Sequence, residues 1–373
     1  MMHNLSRVAG VQIWLKPEHL QRTGSFKIRG AYTRLSELES SSTVVAASAG
    51  NHAQGVALAA SLLGHRSTIF MPRTASLPKV QATRDYGAEV ILDGDTVDDC
   101  IHAAKAWATE SGAVFVSPFD HPSVIAGQGT IGLELLDEVP DLATVIVAVG
   151  GGGLLGGIAA AIKQTRPNVL IIGAVAEGSP SMVESHRAGR PVVVQPRTIA
   201  DGIALASPSA LTLAHVTAFV DSLVLVSDDD ISRAGLMLLE RAKAVVEPAG
   251  AAAMAVALAE ADSFEGPVAV VLGGGNVDPL LLAKQIDYGL ELSDRYLSLE
   301  IVMADTPGSL AGLTAEVAEL GLNVLEVTHR RSGARLPYGD VALFLTVETR
   351  DSAHQDEVIS LLMKRGFDVR RVR

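Results

Sequence analysis

The sequence predicts an α/β protein in which two lobes of parallel sheet precede a smaller βαββαβ unit. From residue 44 onward, short β-branched segments alternate with helical patterns, and a second series of this kind begins near residue 123. Parallel strands need a crossover connection, usually a helix, so the alternation predicts parallel sheets that helices cover on both faces. Beyond residue 296 the order of the elements changes, which indicates a separate C-terminal unit.

The first series begins with the apolar segment 44–48, which is typical of a buried strand. Gly64, Gly87 and Gly112 each stand at the end of a predicted helix, as helix-ending glycines do. The series comprises strand 44–48, helix 52–63, strand 67–71, helix 78–86, strand 89–92, helix 96–111 and strand 114–117.

The second series predicts another lobe. Because ligands of such folds bind at the carboxyl ends of strands, the cleft between the lobes is the expected ligand site. This series comprises helix 123–137, strand 144–149, helix 154–165, strand 169–175, strand 221–226, helix 229–245, helix 249–260 and strand 267–272. The C-terminal unit, a ferredoxin-like arrangement, comprises strand 297–304, helix 308–320, strand 323–330, strand 340–348, helix 354–365 and strand 367–372.

Composition and charge argue against several classes of protein. The chain has 373 residues, of which 48% are hydrophobic and 35 are glycine, and this suits an α/β fold with tight turns. The formal net charge of −12 argues against nucleic acid or an anionic membrane as a partner. Cys100 is the only cysteine, so internal disulfides and multi-cysteine metal sites are excluded. Because the first residues lack the apolar segment of a signal peptide, we expect a cytoplasmic protein.

Lys27 is the first candidate for chemistry. In segment 22–31 a small residue, an aromatic residue and this lysine stand where a helix begins, and Ser25 is expected to cap that helix. The helix dipole disfavours a charged ammonium in the first turn, so Lys27 is expected to lose its proton easily. Such a lysine is a nucleophile and forms Schiff bases, although a solvated lysine at a helix end shows the same pattern.

Three loops that follow predicted strands contain the other candidates. Residues 48–55 expose N–H groups at a helix start, which favours a carboxylate, and include Asn51, which also fits an ordinary helix cap. Four consecutive glycines at 150–153 favour phosphate binding over a merely flexible turn. Residues 272–278 form a third glycine loop, which is equally compatible with a turn capped by Asn276.

The second loop also fits a different function. Gly151, Gly153 and Gly156 match the dinucleotide fingerprint GxGxxG, and Glu177 ends the next predicted strand. A nicotinamide-dependent oxidoreductase is therefore an alternative, but it leaves Lys27 and the Asn51 loop without a role.

Taken together, the motifs resemble those of the fold-type-II pyridoxal-phosphate enzymes, which are similar in architecture to the tryptophan synthase β subunit, and specifically the threonine ammonia-lyases (threonine dehydratases). The resemblance covers nearly the whole chain, and several motifs in family order are far more specific than any one of them. The motifs are Gly24 to Ala31, Ser48 to Gly55, Gly127 to Thr130, Gly150 to Gly153, Thr198 to Gly202 and Val246 to Gly250.

The resemblance implies a role for each candidate. Lys27 holds pyridoxal 5'-phosphate as a Schiff base and removes the Cα proton of the substrate, after which threonine loses its β-hydroxyl and yields 2-oxobutanoate and ammonia. Serine would give pyruvate in the same way. The implied cofactor-binding residues are Phe26, Lys27, Asn51, Gly150, Gly151, Gly152, Gly153, Leu154, Glu247 and Gly273. The implied substrate-binding residues are Ser25, Ser48, Ala49, Gly50, Asn51 and His52.

The resemblance also implies the domain organisation. Residues 1–46 and 127–292 form a large cofactor-binding lobe, residues 47–126 a small substrate lobe, and residues 296–373 an ACT-like regulatory domain. Asp305 to Leu310 match the effector loop of such domains. An amino-acid effector is therefore expected to bind between ACT-like units of a homo-oligomer, either a dimer or a tetramer.

The chain departs from the family's pattern at several places. Relatives usually have Ser or Cys at the position of Gly273, where the side chain binds the ring nitrogen, and glycine cannot make that hydrogen bond. A second serine of the related racemases is replaced by Ala49, which cannot transfer a proton, so elimination is favoured over racemisation. Residues 178–183, which follow Glu177, have no carboxylate, so no essential divalent metal is expected there, and a monovalent ion is left as the alternative. Relatives also have a longer segment before the lysine motif.

Two further hypotheses concern the histidines and a function without catalysis. His52 and His121 are expected to cap loops or make structural hydrogen bonds rather than to act in catalysis. A non-catalytic amino-acid sensor is the third hypothesis, supported by Gly273 and the short segment before Lys27. The intact Lys27, Asn51 and glycine loops argue against it.

Overall fold

The computed structural model describes residues 1–260, 263–331 and 336–372. It divides into two compact units, one that ends at Ala283 and one that begins at Lys284. The strands of the first unit are β1 (Ile13–Lys16), β2 (Thr43–Ala47), β3 (Arg66–Met71), β4 (Glu89–Leu92), β5 (Val114–Phe115), β6 (Thr144–Ala148), β7 (Leu170–Ala176), β8 (Ser222–Val226) and β9 (Val268–Val271).

The helices that follow or separate these strands cover both sheets of the unit. They are α1 (His3–Ala9), α2 (Lys27–Ser36), α3 (Asn51–Leu63), α4 (Leu77–Asp85), α5 (Val97–Ser111), α6 (Pro122–Glu138), α7 (Gly153–Thr165), α8 (Ser181–Ala188), α9 (Ala210–Phe219), α10 (Asp228–Met237) and α11 (Pro248–Ala259). Helix α12 (Pro279–Leu292) spans the point at which the two units divide.

The strands of the first unit form two sheets whose pairs are all parallel. The five-stranded sheet has the order β1-β9-β6-β7-β8 and the four-stranded sheet the order β4-β3-β2-β5. The predicted α/β class with parallel sheets is therefore confirmed. The boundary predicted between residues 46 and 47 falls within β2, and the residue ranges of the two lobes stay a prediction.

Alternation along β6 explains why this strand is apolar from Val145 to Ala148. Val145 and Val147 pack with α6 and α7 on one face of the five-stranded sheet, whereas Ile146 and Ala148 pack with α11 on the other. Residues 248–257 of α11 are all buried, and their alanines let the helix approach the sheet closely. In the part of the chain that the structure describes, no helix is both long and apolar enough to cross a membrane.

The second unit has the βαββαβ order that the sequence predicts. Its elements are β10 (Tyr296–Ala304), α13 (Ser309–Glu319), β11 (Val324–Arg330), β12 (Asp340–Glu348), α14 (Ser352–Lys364) and β13 (Asp368–Arg371). The strands form an antiparallel sheet in the order β11-β12-β10-β13, and Leu297, Leu299 and Ile301 alternate into its core. Residues 332–335 and 373 of the predicted ACT-like domain lie outside the described residues.

Several elements differ from the prediction. The helix predicted over 229–245 is shorter: α10 ends at Met237, a wider turn spans Leu238–Ala242, and Lys243 then adopts φ 57°, which cannot continue a right-handed helix. Strand β1 and helices α1, α8, α9 and α12 were not predicted. Strand β1 has only four residues, too few to show a period, and only its pairing with β9 defines it.

A partly buried network of charges holds the start of α2 in the first unit. Arg29 donates to both carboxylate oxygens of Glu18, at 2.8 and 2.9 Å, and also to Glu134. Lys16 of β1 pairs with Glu134 at 2.8 Å and with Glu138 at 2.7 Å. Since Glu18 and Lys16 are almost fully buried, each needs its partner to offset the cost of losing water.

We expect Arg29→Met to lower the free energy of unfolding by about 3–5 kcal/mol, because it leaves the buried carboxylate of Glu18 without its partner. Arg73 pairs with Asp93 at the surface, so Arg73→Met is the matched control and should change stability by about 1 kcal/mol or less. Denaturant unfolding of the full chain measures both. Equal midpoints for the two variants would contradict the role assigned to the network.

Candidate active site

The segment before α2 pairs with the segment after β9. Phe26 N donates to Gly273 O at 3.1 Å, and Gly275 N donates to Gly24 O at 2.9 Å. Through these two bonds the end of β9 determines where α2 begins, and therefore where Lys27 lies.

Ser25 does not cap α2, so that expectation is wrong. Helix α2 begins at Lys27, and Phe26 is its N-cap without a side-chain cap hydrogen bond. Ser25 instead forms an isolated antiparallel bridge with Gly274. Its Oγ is buried and has no hydrogen-bond partner among the described residues. Because a buried hydroxyl usually has a partner, this one is a candidate ligand contact.

The amine of Lys27 points into the site. Its Nζ donates to Pro118 O at 3.0 Å and lies 5.1 Å from the centre of the Phe26 ring. Burial lowers the pKa of Lys27 to about 8, and the carboxylate of Glu247 opposes this shift. The uncharged, nucleophilic form of the amine is therefore more populated at neutral pH than in an exposed lysine.

Asn51 and Glu247 form a hydrogen-bonded pair across the site. Asn51 is the first residue of α3, and Glu247 immediately precedes α11. Nδ2 of Asn51 donates to Oε1 of Glu247 at 2.7 Å. Burial, helped by the carboxylate of Asp201, raises the pKa of Glu247 to about 7, although the hydrogen bond from Asn51 works against the shift. Glu247 can therefore hold or release a proton near neutral pH.

The four glycines at 150–153 form a cradle at the N-terminus of α7. Gly152 has φ +87°, and a Cβ on Gly151 would lie 2.5 Å from the ring of Phe119, so no larger residue fits these positions. Among the described residues, no acceptor is found for the N–H groups of Gly151, Gly152 and Gly153. Free N–H groups at a helix N-terminus favour an anion such as a phosphate.

Gly273 lies between two apolar side chains. A Cβ there would lie 3.4 Å from Phe26 and 3.9 Å from Leu154, which are ordinary packing distances. Glycine is therefore not required by the backbone or by packing at this position. A Ser or Cys side chain would also fit here, and glycine offers no side-chain hydrogen bond in its place.

In the loop of residues 48–52 the backbone N–H groups, and not the His52 ring, are the candidate contacts for a ligand. Ser48 Oγ accepts a hydrogen bond from Gly50 N at 3.1 Å, which shapes the loop. The His52 ring is buried, and its Nε2 lies 2.9 Å from Val116 O. Burial, together with the charge of Lys27, lowers the pKa of His52 to about 3. The neutral ring has the structural contact expected of it.

His121 also has a structural contact. Its Nδ1 accepts from Ser123 N at 3.2 Å and caps α6.

The motif at 127–130 has a packing role. A Cβ on Gly127 would lie 2.7 Å from Arg29 O, and one on Gly129 would lie 2.9 Å from Gly157 O. These glycines let α6 lie directly against α2 and α7.

Pro118 and Phe119 are site residues that were not predicted from the sequence. They follow β5 and reach Lys27 and the glycine cradle, respectively. The signal that could have found them is their position directly after the predicted strand 114–117, since ligand sites gather at the carboxyl ends of parallel strands. The ion pair of Lys79 and Asp201 was not predicted either. Their charged atoms lie 3.9 Å apart, and both charges act on the pKa of Glu247.

Comparison with known proteins agrees with this arrangement. The family model described as pyridoxal-phosphate dependent enzyme matches residues 1–274, and the ACT domain model matches residues 297–367. The L-threonine ammonia-lyase of Thermotoga maritima is 48% identical over 372 residues, which cover 99% of this chain and 93% of that protein.

Two solved structures share the fold. The processed form of threonine deaminase isoform 2 from Solanum lycopersicum has a TM-score of 0.75 at 38% identity and covers 77% of this chain and 81% of its own. Maize serine racemase has a TM-score of 0.72 at 35% identity and covers 78% of this chain and 91% of its own. The chain belongs to the pyridoxal-phosphate-dependent enzyme family and ends in an ACT domain.

Proposed function

We propose that this chain deaminates L-threonine to 2-oxobutanoate and ammonia with pyridoxal 5'-phosphate, and that it converts L-serine to pyruvate in the same way. The observation that carries the proposal is the buried Lys27 amine, whose pKa is lowered by burial to about 8 and which lies 5.1 Å from the centre of the Phe26 ring. The full-length likeness to an L-threonine ammonia-lyase supports the choice of substrate.

The described residues fit this cofactor. The glycine cradle offers unpaired N–H groups to a phosphate, Lys27 offers an amine for covalent attachment, and Phe26 offers an apolar surface to the ring. Asn51 is assigned to the ring hydroxyl. Glu247 accepts a hydrogen bond from Asn51, and Gly273 lies beside Phe26. A nicotinamide is not needed to explain GxGxxG, because Gly156 is required where a Cβ would lie 2.9 Å from His215.

The reaction then needs the cofactor and the Lys27 amine in different steps. Pyridoxal phosphate, when bound, withdraws electrons from the substrate Cα and stabilises the charge left by proton loss. Lys27 Nζ takes the Cα proton, the β-hydroxyl takes up one proton as its bond to Cβ breaks, and it leaves as water. Water then hydrolyses the released enamine product, so the net change is L-threonine to 2-oxobutanoate and ammonia.

The loop of residues 48–52 is assigned to the substrate carboxylate. Its backbone N–H groups lie at the N-terminus of α3, where an anion is stabilised. The buried hydroxyl of Ser25, which has no partner among the described residues, is assigned as the side-chain contact. Ala49 offers no proton to the opposite face of the substrate, which supports elimination over racemisation.

The second unit is assigned to regulation. We place an amino-acid effector at Asp305 to Leu310 and at the turn 321–323, between ACT-like units of a homo-oligomer. Arg331 donates to Asp305 at 3.0 Å, and Gly308, with φ +98°, is the N-cap of α13. The single cysteine, Cys100, is buried and is compatible with the cytoplasmic location that we propose.

We expect Lys27→Ala to reduce 2-oxobutanoate release from L-threonine by at least about 10²–10⁴-fold, because it removes the base and the covalent anchor. The exposed Lys284 is the matched control, and Lys284→Ala should retain wild-type turnover. A coupled dehydrogenase assay measures both. A wild-type protein that binds the cofactor but turns over neither threonine nor serine would favour the amino-acid sensor instead.

The covalent reaction of Lys27 with pyridoxal phosphate should depend on pH in a specific way. The uncharged amine is the nucleophile, so the rate rises with pH and levels off through a midpoint near pH 8. Glu247→Gln removes the carboxylate that holds this pKa up, so its midpoint should lie at lower pH. Stopped-flow absorbance of the apo protein gives the midpoint; a value near about 10, as in an exposed lysine, contradicts the assigned environment.

The effector proposal predicts that removal of residues 296–373 leaves basal turnover and abolishes the response to isoleucine or valine. In the full chain, Gly308→Ala should weaken the response, because alanine at φ +98° is strained by about 1–2 kcal/mol. Gly312→Ala is the matched control, since Gly312 has equally open space without a positive φ. A response that survives the deletion would refute the assignment.

A further inference from the structure

We propose that Asn276 is a positioning residue that fixes which end of the Asn51 side-chain amide faces the cofactor. The inference rests on the proposed function, in which Asn51 binds the ring hydroxyl. An asparagine amide has a donor end and an acceptor end of nearly equal size, so its orientation is decided by its partners.

A chain of three hydrogen bonds determines that orientation. Asn276 Nδ2 donates to Thr23 O at 2.6 Å and to Asn51 Oδ1 at 2.7 Å. A backbone carbonyl can only accept, so Thr23 O requires the NH₂ end of Asn276 on its side. That NH₂ group then requires the carbonyl end of Asn51. The NH₂ end of Asn51 is consequently directed toward Glu247, where it donates at 2.7 Å.

Glu247 cannot set this orientation alone. Its pKa is raised to about 7, so near neutral pH its carboxyl group is present both as an acceptor and as a donor. A protonated Glu247 accommodates either end of the Asn51 amide. The Thr23 carbonyl and the Asn276 amide do not titrate, so they keep the donor end of Asn51 in the site at every pH.

The backbone holds Asn276 against the same segment that positions Lys27. Gly275 N donates to Gly24 O at 2.9 Å. Gly24 has φ +69°, and a Cβ there would overlap the Asn276 side chain. The site of Asn276 therefore exists only because residue 24 is glycine.

The direct test replaces the donor of Asn276 by an acceptor of the same shape. In Asn276→Asp the carboxylate repels Thr23 O and draws the NH₂ end of Asn51 toward itself, which turns the acceptor end into the site. We expect the Kd for pyridoxal phosphate, titrated into the apo protein, to rise by at least about 2–10-fold, as for the loss of one hydrogen bond. The pH midpoint of the bound cofactor's absorbance should also shift.

A double-mutant cycle separates positioning from a structural role. In an Asn51→Ala background the Asn276→Asp change should have no further effect on the Kd, because the group it orients is gone. Asn168→Asp makes the same charge change at an exposed position before β7 and should leave both readouts unchanged. If Asn276→Asp does not fold, Asn276→Ala replaces it, with a smaller increase in the Kd and the same dependence on Asn51.

The outcomes distinguish this inference from the proposed function. A wild-type chain that neither binds pyridoxal phosphate nor releases 2-oxobutanoate overturns both. A functional wild type with unchanged cofactor Kd and absorbance midpoint in Asn276→Asp overturns the positioning role alone. An equal rise in the Kd with and without Asn51 also overturns it.

Discussion

The structure of the site depends on the short backbone pairing between residues 24–26 and 273–275. It consists of two hydrogen bonds, which together form the isolated antiparallel bridge between Ser25 and Gly274. This pairing ties the start of α2 to the carboxyl end of β9. Because β9 is the second strand of the five-stranded sheet, the position of Lys27 is set by the core of the unit. The charges around Arg29 then hold the first turn of α2 against α6.

Desolvation is the second constraint, and it acts on two groups in opposite directions. Burial favours the neutral forms of both Lys27 and Glu247, which lowers the pKa of the amine and raises the pKa of the carboxyl group. Their mutual attraction opposes both shifts. The result is an amine and an acid that both titrate near neutrality, which is the condition under which proton transfer contributes most to catalysis.

The two sheets and the glycine cradle could be predicted from the sequence, because each depends on a pattern of neighbouring residues. The two sheets follow from alternating apolar segments, and the cradle at 150–153 follows from four consecutive glycines. The failures have a different cause. Ser25 has the right residue type for a helix cap, but its backbone pairs with Gly274 and Phe26 takes the N-cap position of α2. Asn276 was expected only as the cap of a turn, and its contacts with Thr23 and Asn51 were not predicted. These contacts, like those of Phe119 and strand β1, join residues more than 30 positions apart, and no local pattern reveals them.

The central claim is that Lys27 is the covalent anchor of the cofactor. Borohydride reduction of the protein loaded with pyridoxal phosphate, followed by peptide mapping, tests this most directly, because reduction makes the attachment permanent. The account predicts a single modified residue, Lys27, whose modification requires the native fold. Modification of another lysine in place of Lys27, or of exposed lysines without selectivity, would contradict it.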